Sequence, residues 1–443
     1  MLGSVTVMET NREEKPRRVL RIASKRLPVG TIIETIYSEE KAETQFAVCE
    51  QGKITIESRI VHGSDETLEP VSAANNLVRY GVVTLPETPE DYGSTEELVA
   101  AIQGYIYRYV DLSDHFRKIA SFYVLLTWVY GAFNELPYLR LRGDYGSGKT
   151  RALLVIGSIC NKAFFASGAS TVSPIFHTLD LFRGTLIFDE ADFRFSDEKS
   201  ELVKILNNGN VRGFPVLRTA VTAAREFDPR AFNVYGPKIV AMRKAFEDAA
   251  LESRFITEEM GQRRMRSDIP INLPDTQREE AKKLRNQLLM YRFRTLQSIK
   301  VDDSLVDRSV SARLNQILVP LLSIITDEAL RKEVRESLEG LDRRLSAERS
   351  ESKEAHVLDV LHELCEEAAG QSISIAAVTE AFAKKFAGEY ERNITNRFIG
   401  GIVRTKLRLM TYKSHGVYVI PLTEKPKIDE LCIRYGVLHR REG

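Results

Sequence analysis

The chain has 443 residues, and its 63 Lys and Arg against 62 Asp and Glu leave a formal charge of +1. That balance excludes a protein basic throughout, so any nucleic-acid contact must come from local clusters. With 43% hydrophobic and 28% charged residues the composition is that of an ordinary soluble protein, too long for one core, and it predicts roughly two to four domains.

Cys49, Cys160, Cys365 and Cys432 are far apart and form no C-x-x-C pair. The expectation is a reduced, cytoplasmic chain without a structural zinc. The first dozen residues lack the charged-then-apolar profile of a signal peptide. The greasiest run, Phe122–Phe133, is too short to span a bilayer and reads as a buried helix, so no membrane partner is expected.

Residues up to about Glu13 read as disordered. Val19–Ile22, Thr31–Tyr37, Gln45–Cys49 and Ile54–Ile60 then read as short strands separated by Gly and charged turns. They predict a β-rich domain over residues 1–90 whose role is not legible. Leu85–Gly93 is a linker rich in breakers. Ser94 and Glu97 form a capping box that opens a helix to about Val110, and a second helix is predicted from Ser113 to Phe133. Together they make a helical collar.

Next comes Leu139-Arg-Leu-Arg-Gly143-Asp-Tyr-Gly-Ser-Gly-Lys-Thr150, an apolar-alternating run entering G-x-x-x-x-G-K-T, with the helix-like segment Arg151–Cys160 directly behind. This is a nucleotide-phosphate loop in the strand-turn-helix setting it requires. Gly143, Gly146 and Gly148 let the backbone curl around a polyphosphate, which meets the amides of Asp144, Tyr145, Ser147 and Arg151 and the positive end of the helix. Lys149 supplies a charge for the β and γ phosphates, and Thr150 a hydroxyl ligand for Mg²⁺. The expected cofactors are therefore ATP and Mg²⁺.

Ala163–Ala166 reads as a short strand and Ser170–Asp180 as a helix, followed by Gly184-Thr-Leu-Ile-Phe-Asp-Glu-Ala-Asp192. An apolar strand ending in two carboxylates is the second half of an ATPase site. Asp189 is the metal candidate, through water, and Glu190 the residue that orients or deprotonates the attacking water. The letters Asp-Glu-Ala-Asp match one helicase family by coincidence, because its other motifs are not found. Leu202–Gly209 then reads as a helix, Phe214–Val221 and Ala231–Tyr235 as a hairpin around residues 222–230, Gly236–Met242 as a core strand, and Ala249–Ile256 carries L-E-S-R-F.

In this order and spacing, Tyr138 to Ile256 resembles the AAA+ ATPase core of hexameric DNA helicases, in particular superfamily 3 viral helicases and the MCM-like replication helicases of mobile elements. The resemblance implies a hairpin that grips single-stranded DNA in a ring channel, here with Arg218, Arg225 and Arg230. Physically, cations on a ribbon can track phosphates without reading bases. It also implies that Arg254 is a finger completing a neighbour's site, hence a homo-oligomer, a hexamer in those families. The plainer alternative pairs Arg254 with Glu252 or Glu258. The family's γ-phosphate sensor is an Asn at the end of the last core strand, where this chain has Arg243. Asn207, Asn208 and Asn210 are the other candidates.

Glu279–Ile299 and Ser311–Ile325, the latter despite Pro320, predict a helical lid over 276–347, with Arg313 as its nucleotide-sensing candidate. After a charge-rich linker, Glu354–Glu367, Ser374–Phe386 and Ile394–Leu407 read as helices. Leu409–Tyr412 and Val417–Ile420 then flank a turn. Three helices and a hairpin resemble a winged helix over 348–443, with Arg392, Arg397, Arg404, Lys406, Arg408 and Lys413 as a positive face for duplex DNA.

The whole reads as an α/β protein: an AAA+ P-loop core over 91–275, the lid, the β-rich domain and the winged helix. The expected activity is that of an ATP-dependent DNA helicase or translocase in the replication of a plasmid, phage or genomic island. A non-unwinding initiator or helicase loader is one rival, and an ATP-controlled DNA-binding regulator the other.

Overall fold

A computed structural model describes residues 17–437 apart from 64, 190–196, 222–226, 247, 263–264, 309, 311, 337–338, 340–351, 368–370 and 387–393. Glu190, Arg225 and Arg392 therefore lie outside the described residues. The chain divides into two compact units, Met1–Arg335 and Glu336–Gly443. The expected boundaries near residues 90 and 275 both fall inside the first.

The amino-terminal strands are β1 (Arg18–Ile22), β2 (Ser24–Arg26), β3 (Ile32–Ser38), β4 (Glu43–Glu50), β5 (Lys53–Glu57), β6 (Ile60–His62) and β7 (Glu66–Pro70). They make an antiparallel sheet in the order β2-β3-β4-β5 and a second sheet ordered β1-β7-β6, in which β1 and β7 are parallel. The short helix α1 (Asn76–Arg79) leads to α2 (Thr95–Tyr109) and α3 (Asp114–Val129). Ser94 and Glu97 close the capping box: Glu97 N–H donates to Ser94 Oγ at 3.1 Å, and Ser94 N–H to Glu97 Oε2 at 2.8 Å. Along α3 every residue from Ile119 to Val129 is buried, which is why its apolar run needs no bilayer.

The central sheet comprises β8 (Tyr138–Arg142), β9 (Phe164–Ser167), β10 (Leu186–Asp189), β13 (Lys238–Met242) and β14 (Phe255–Glu259). Its order is β14-β8-β13-β10-β9 and every pairing in it is parallel. Between these strands run α4 (Lys149–Gly157), α5 (Val172–Phe182), α6 (Asp197–Asn208), the hairpin of β11 (Val216–Val221) and β12 (Phe227–Phe232), and α7 (Ala249–Glu252). A parallel sheet places every strand exit on one edge, so the phosphate loop after β8 and Asp189 at the end of β10 are brought together.

The β-rich segment is not separate from this core. Ala23, Val71, Val78 and Val83 belong to the same buried cluster as Tyr138, Phe176 and Phe188. Thr84 N–H also donates to Ala163 O at 2.8 Å.

After β14 come α8 (Asp275–Thr295) and α9 (Ala312–Leu322), the helices expected to form a lid. α8 buries Ala281, Leu284, Leu288 and Leu289. Its Asn286 Oδ1 accepts the backbone N–H groups of Glu87 and Thr88 at 2.9 and 3.2 Å. A helix held in this way is part of the core.

In the second unit, α10 (Lys353–Glu367), β15 (Ile373–Ser374), α11 (Ile375–Lys385) and α12 (Asn396–Gly401) are followed by β16 (Tyr412–Ser414), β17 (Val417–Ile420) and α13 (Lys425–Arg434). The strands pair in the order β15-β17-β16. Two features depart from the sequence expectation. The third helix is α-helical only over Asn396–Gly401 and π-helical over Ile402–Lys406. The closing helix α13 lies outside the three-helix expectation, although Ile428, Leu431 and Cys432 stand at helical spacing and Ile428 and Cys432 are buried.

Candidate nucleotide site

The phosphate loop has the backbone its glycines allow. Gly146 and Gly148 have φ of +75° and +89°, the left-handed region that Cβ disfavours. Gly148 is also the N-cap of α4 and brings no side chain to the first-turn amides, which leaves them to an anion. Lys149 Nζ donates to the carbonyls of Gly143 and Asp144, both at 2.7 Å, so the ammonium sits over the loop's own concavity. Tyr145, at the tip, is 91% exposed. Ser147 N–H donates to Asp144 O at 3.3 Å and closes the turn. Arg151 is committed elsewhere: its guanidinium donates to the carbonyls of Pro270 and Ile271, and so ties α4 to the connection before α8.

Thr150 and Asp189, 39 residues apart, meet at the strand exits, where Thr150 Oγ1 donates to Asp189 Oδ2 at 2.6 Å. A hydroxyl and a carboxylate oxygen beside an anion cradle are the hard donors Mg²⁺ takes, so the residues present fit the metal. Among the described residues no group of three or more His, Cys, Asp or Glu side chains forms a metal cluster.

A cavity of about 430 Å³ adjoins the loop. Its walls combine Asp144–Gly148 with Val110, Asp111, Met260, Gly261, Met265 and Ile269. No residue of α8 or α9 lines it; the end of the collar and the turn after β14 do. The sequence reading missed these walls. Its one signal was Gly261, which follows a strand and has φ of +82°.

Arg254 lies at the opposite edge. It directly precedes β14, and Phe255 pairs with Tyr138 where β8 enters the sheet, about 13 Å along the strand from the loop side. Its Nη1 donates to Leu206 O at 3.0 Å and to Asn207 Oδ1 at 2.7 Å. Neither Glu252 nor Glu258 is its partner. Glu252 takes the buried Arg140, and Glu258 accepts the N–H and hydroxyl of Ser113 at 2.7 and 2.8 Å.

Arg313 is beside Arg254, not over the phosphate loop. Its guanidinium reaches Ala250 O at 3.3 Å and Ser253 Oγ at 3.4 Å. Burial first, and then Arg313, push the Arg254 pKa below the ordinary arginine value. Two guanidinium groups crowded on one edge favour an anion there.

The sensor candidates divide between the two edges. Arg243 follows β13 on the loop side, next to Met242, whose carbonyl accepts Gly143 N–H at 3.3 Å. Asn207 holds Arg254, Asn208 donates to Lys204 O at 2.9 Å, and Asn210 is buried with its backbone carbonyl bonded to Leu136 N–H. All three asparagines sit at the end of α6, whose Leu206 carbonyl takes the Tyr138 hydroxyl at the strand-entry edge. They are remote from the loop.

In the hairpin, Arg218 pairs in register with Arg230. The second strand starts four residues earlier than the sequence pattern indicated, so Arg230 belongs to the stalk and not the tip. Arg218 lies over the Phe176 ring at 4.7 Å and 3.6 Å from Glu201. In the second unit, Arg397, Arg404, Lys406, Arg408 and Lys413 are all exposed, and Arg404 stacks over Tyr418 of the β16–β17 hairpin at 5.0 Å.

No protein-family model matches this chain, and no curated protein matches it. Among solved structures it is similar to the NrS-1 C-terminal region, at 12% identity and a TM-score of 0.35 over 88% of this chain and 96% of that one. It is also similar to SCCmec type IV Cch, described as an active helicase, at 11% identity and a TM-score of 0.39 over 93% and 80%. The JCV helicase gives 12% identity and a TM-score of 0.25 over 56% and 61%. At these values the likenesses define neither the fold nor the function of the chain.

No helix among the described residues is long and apolar enough to cross a membrane.

Proposed function

We propose that the chain is an ATP-driven DNA helicase or translocase of a replicating mobile element, working as a ring, a hexamer in the families it resembles. The observation that carries this reading is the division of the site between two edges of one sheet. Lys149, Thr150 and Asp189 gather at the strand exits, whereas Arg254 lies at the strand entries and cannot reach the same phosphates.

In this reading the triphosphate lies on the amides of Gly146–Thr150 with Lys149 on its β and γ groups, and the base enters the cavity walled by Val110, Met260 and Ile269. Bound Mg²⁺, near Thr150 and Asp189, would neutralise phosphate charge. Glu190 orients water, and Arg243 is the sensor candidate at the loop side. Arg254, joined by Arg313, serves the adjacent subunit, where such cations are worth roughly 10³–10⁵ in rate. The β11–β12 hairpin tracks the strand. The second unit, whose helices α10 to α12 lead into the β16–β17 hairpin ahead of α13, works as a winged helix on duplex DNA.

Strand displacement with Mg²⁺-ATP tests the reading. The wild-type chain should unwind a tailed duplex, and Lys149→Ala should abolish both turnover and unwinding. A chain that hydrolyses ATP but never displaces a strand would instead be a non-unwinding switch.

A further inference from the structure

A second cavity, of about 480 Å³, lies at the foot of the hairpin, away from the phosphate loop. It is an open cleft lined by β1, β2 and β7 on one side and by α5 and β12 on the other. Arg21, Lys25, Arg183 and Arg230 face it against one carboxylate, Asp180. Exposed Leu181 gives it an apolar face, with half-buried Leu20 and Ile22 beside it and Leu68 buried behind them. Four cations beside an exposed leucine suit a ligand with an anionic edge and an apolar face, as a nucleotide has.

The cations are only loosely engaged within the chain. Arg230 stands 3.7 Å from Asp180 and Arg21 3.6 Å from Glu69, both longer than a hydrogen bond. Asp180 itself is fixed by accepting Asn233 N–H at 3.2 Å, so it orients Arg230 without using up its donors. Arg183 gives an independent pointer. It is the C-cap of α5 with φ of +48°, a left-handed position where glycine costs least. The glycine, however, stands next, at Gly184, where a Cβ would meet Lys162 O at 2.0 Å. The chain thus keeps a long cation in a backbone conformation that disfavours it, with its side chain at the cavity.

We propose that this cavity binds a nucleotide unit of a single nucleic-acid strand, its phosphate held by Arg21, Lys25, Arg183 and Arg230. The β-rich segment then supplies half of a strand-binding subsite, and the hairpin arginine Arg230 supplies the other half. The inference rests on the reading of the chain as a strand-tracking motor.

The test uses the full chain, a fluorescein-labelled 30-nucleotide oligothymidine read by anisotropy, and a fluorescent ATP analogue. Arg183→Gly is the decisive variant, because it relieves the left-handed backbone and should melt at or above the wild-type temperature. Its strand affinity should fall roughly five- to tenfold, and the slope of log K against log salt should drop by about 0.7. The Arg21→Gln/Lys25→Gln double variant should lower that slope by about twice as much, with binding of the ATP analogue at the phosphate loop unchanged. Unaltered strand affinity and slope in both variants would overturn the subsite alone. Loss of a second equivalent of bound ATP analogue, with strand affinity intact, would assign the cavity to free nucleotide and overturn it too. A wild-type chain with no strand binding would overturn the proposed function and the subsite together.

Discussion

Three residues from distant parts of the sequence carry the most consequential charges inside the first unit. Glu34 on β3 receives Lys162 Nζ at 2.7 Å and Arg292 Nε at 2.6 Å, and all three side chains are buried. Burial raises the Glu34 pKa, but Arg292 and then Lys162 outweigh it and hold the carboxyl below its ordinary value of 4.5. The sign follows: as pH falls, the unfolded chain takes up the proton first. The stability owed to Glu34 is therefore complete above about pH 4.5 and is lost as pH drops towards the folded pKa. Glu34→Gln strands two buried cations and should cost about 3–5 kcal/mol at pH 7. Urea melts of both proteins at pH 7 and below 4.5 check this, since the gap between them should narrow in acid. A constant gap would contradict it. None of this was legible beforehand, because Glu34 and Lys162 are 128 residues apart and nothing local marks either of them. The phosphate loop, by contrast, was readable because its chemistry is confined to eight consecutive residues.

At the scale of elements, the hairpin is the piece whose residues are least at ease. Arg218 and Arg230 are directly opposed across the two strands, and opposed like charges are destabilising by roughly 0.2–1 kcal/mol. Each leans on an aromatic ring, Arg218 on Phe176 and Arg230 on Phe232 at 4.9 Å. Arg218 Nη1 is buried without a hydrogen-bond partner among the described residues. A strand phosphate between the two arginines would offset that cost. Arg218→Met keeps the packing on Phe176 and removes the repulsion, so thermal stability should hold or rise slightly while unwinding falls about tenfold. Melting curves and strand displacement on the same preparations check both halves. A variant that unwinds normally would make the arginine a packing residue. The sequence pattern announced the hairpin through its two extended runs, yet it misplaced the second strand because Pro229 reads as a breaker. In the structure that proline is paired with Thr219 within the ladder. The first tail helix is legible from its apolar spacing, and α13 carries the same signal in Ile428, Leu431 and Cys432 over a shorter span.

At the scale of the whole molecule, the strand order decides what one copy can do. Composition and linkers suggested an independent β-rich domain. Its two sheets bury a small cluster of their own around Ile33, Phe46 and Leu68, while Ala23, Val71, Val78 and Val83 beside them join the cluster of the central sheet. The resulting unit has its phosphate loop at one sheet edge and Arg254 and Arg313 at the other. In the proposed reading, such a body completes a site by presenting its far edge to a second copy in a head-to-tail contact, which gives a ring where the rotation closes. Mixing experiments test this without any knowledge of the interface. Lys149→Ala retains the arginine edge but not the cradle, and Arg254→Ala retains the cradle but not the arginine edge, so each alone should hydrolyse ATP at least about 10³-fold more slowly than wild type. In an equimolar mixture, about a quarter of the sites pair an intact Lys149 with a neighbour's intact Arg254. ATPase activity should therefore return to roughly that fraction of the wild-type rate, and should vanish again on dilution below the assembly concentration. A mixture as inert as its parts, measured where wild-type rings form, would show that Arg254 does not work on an adjacent subunit.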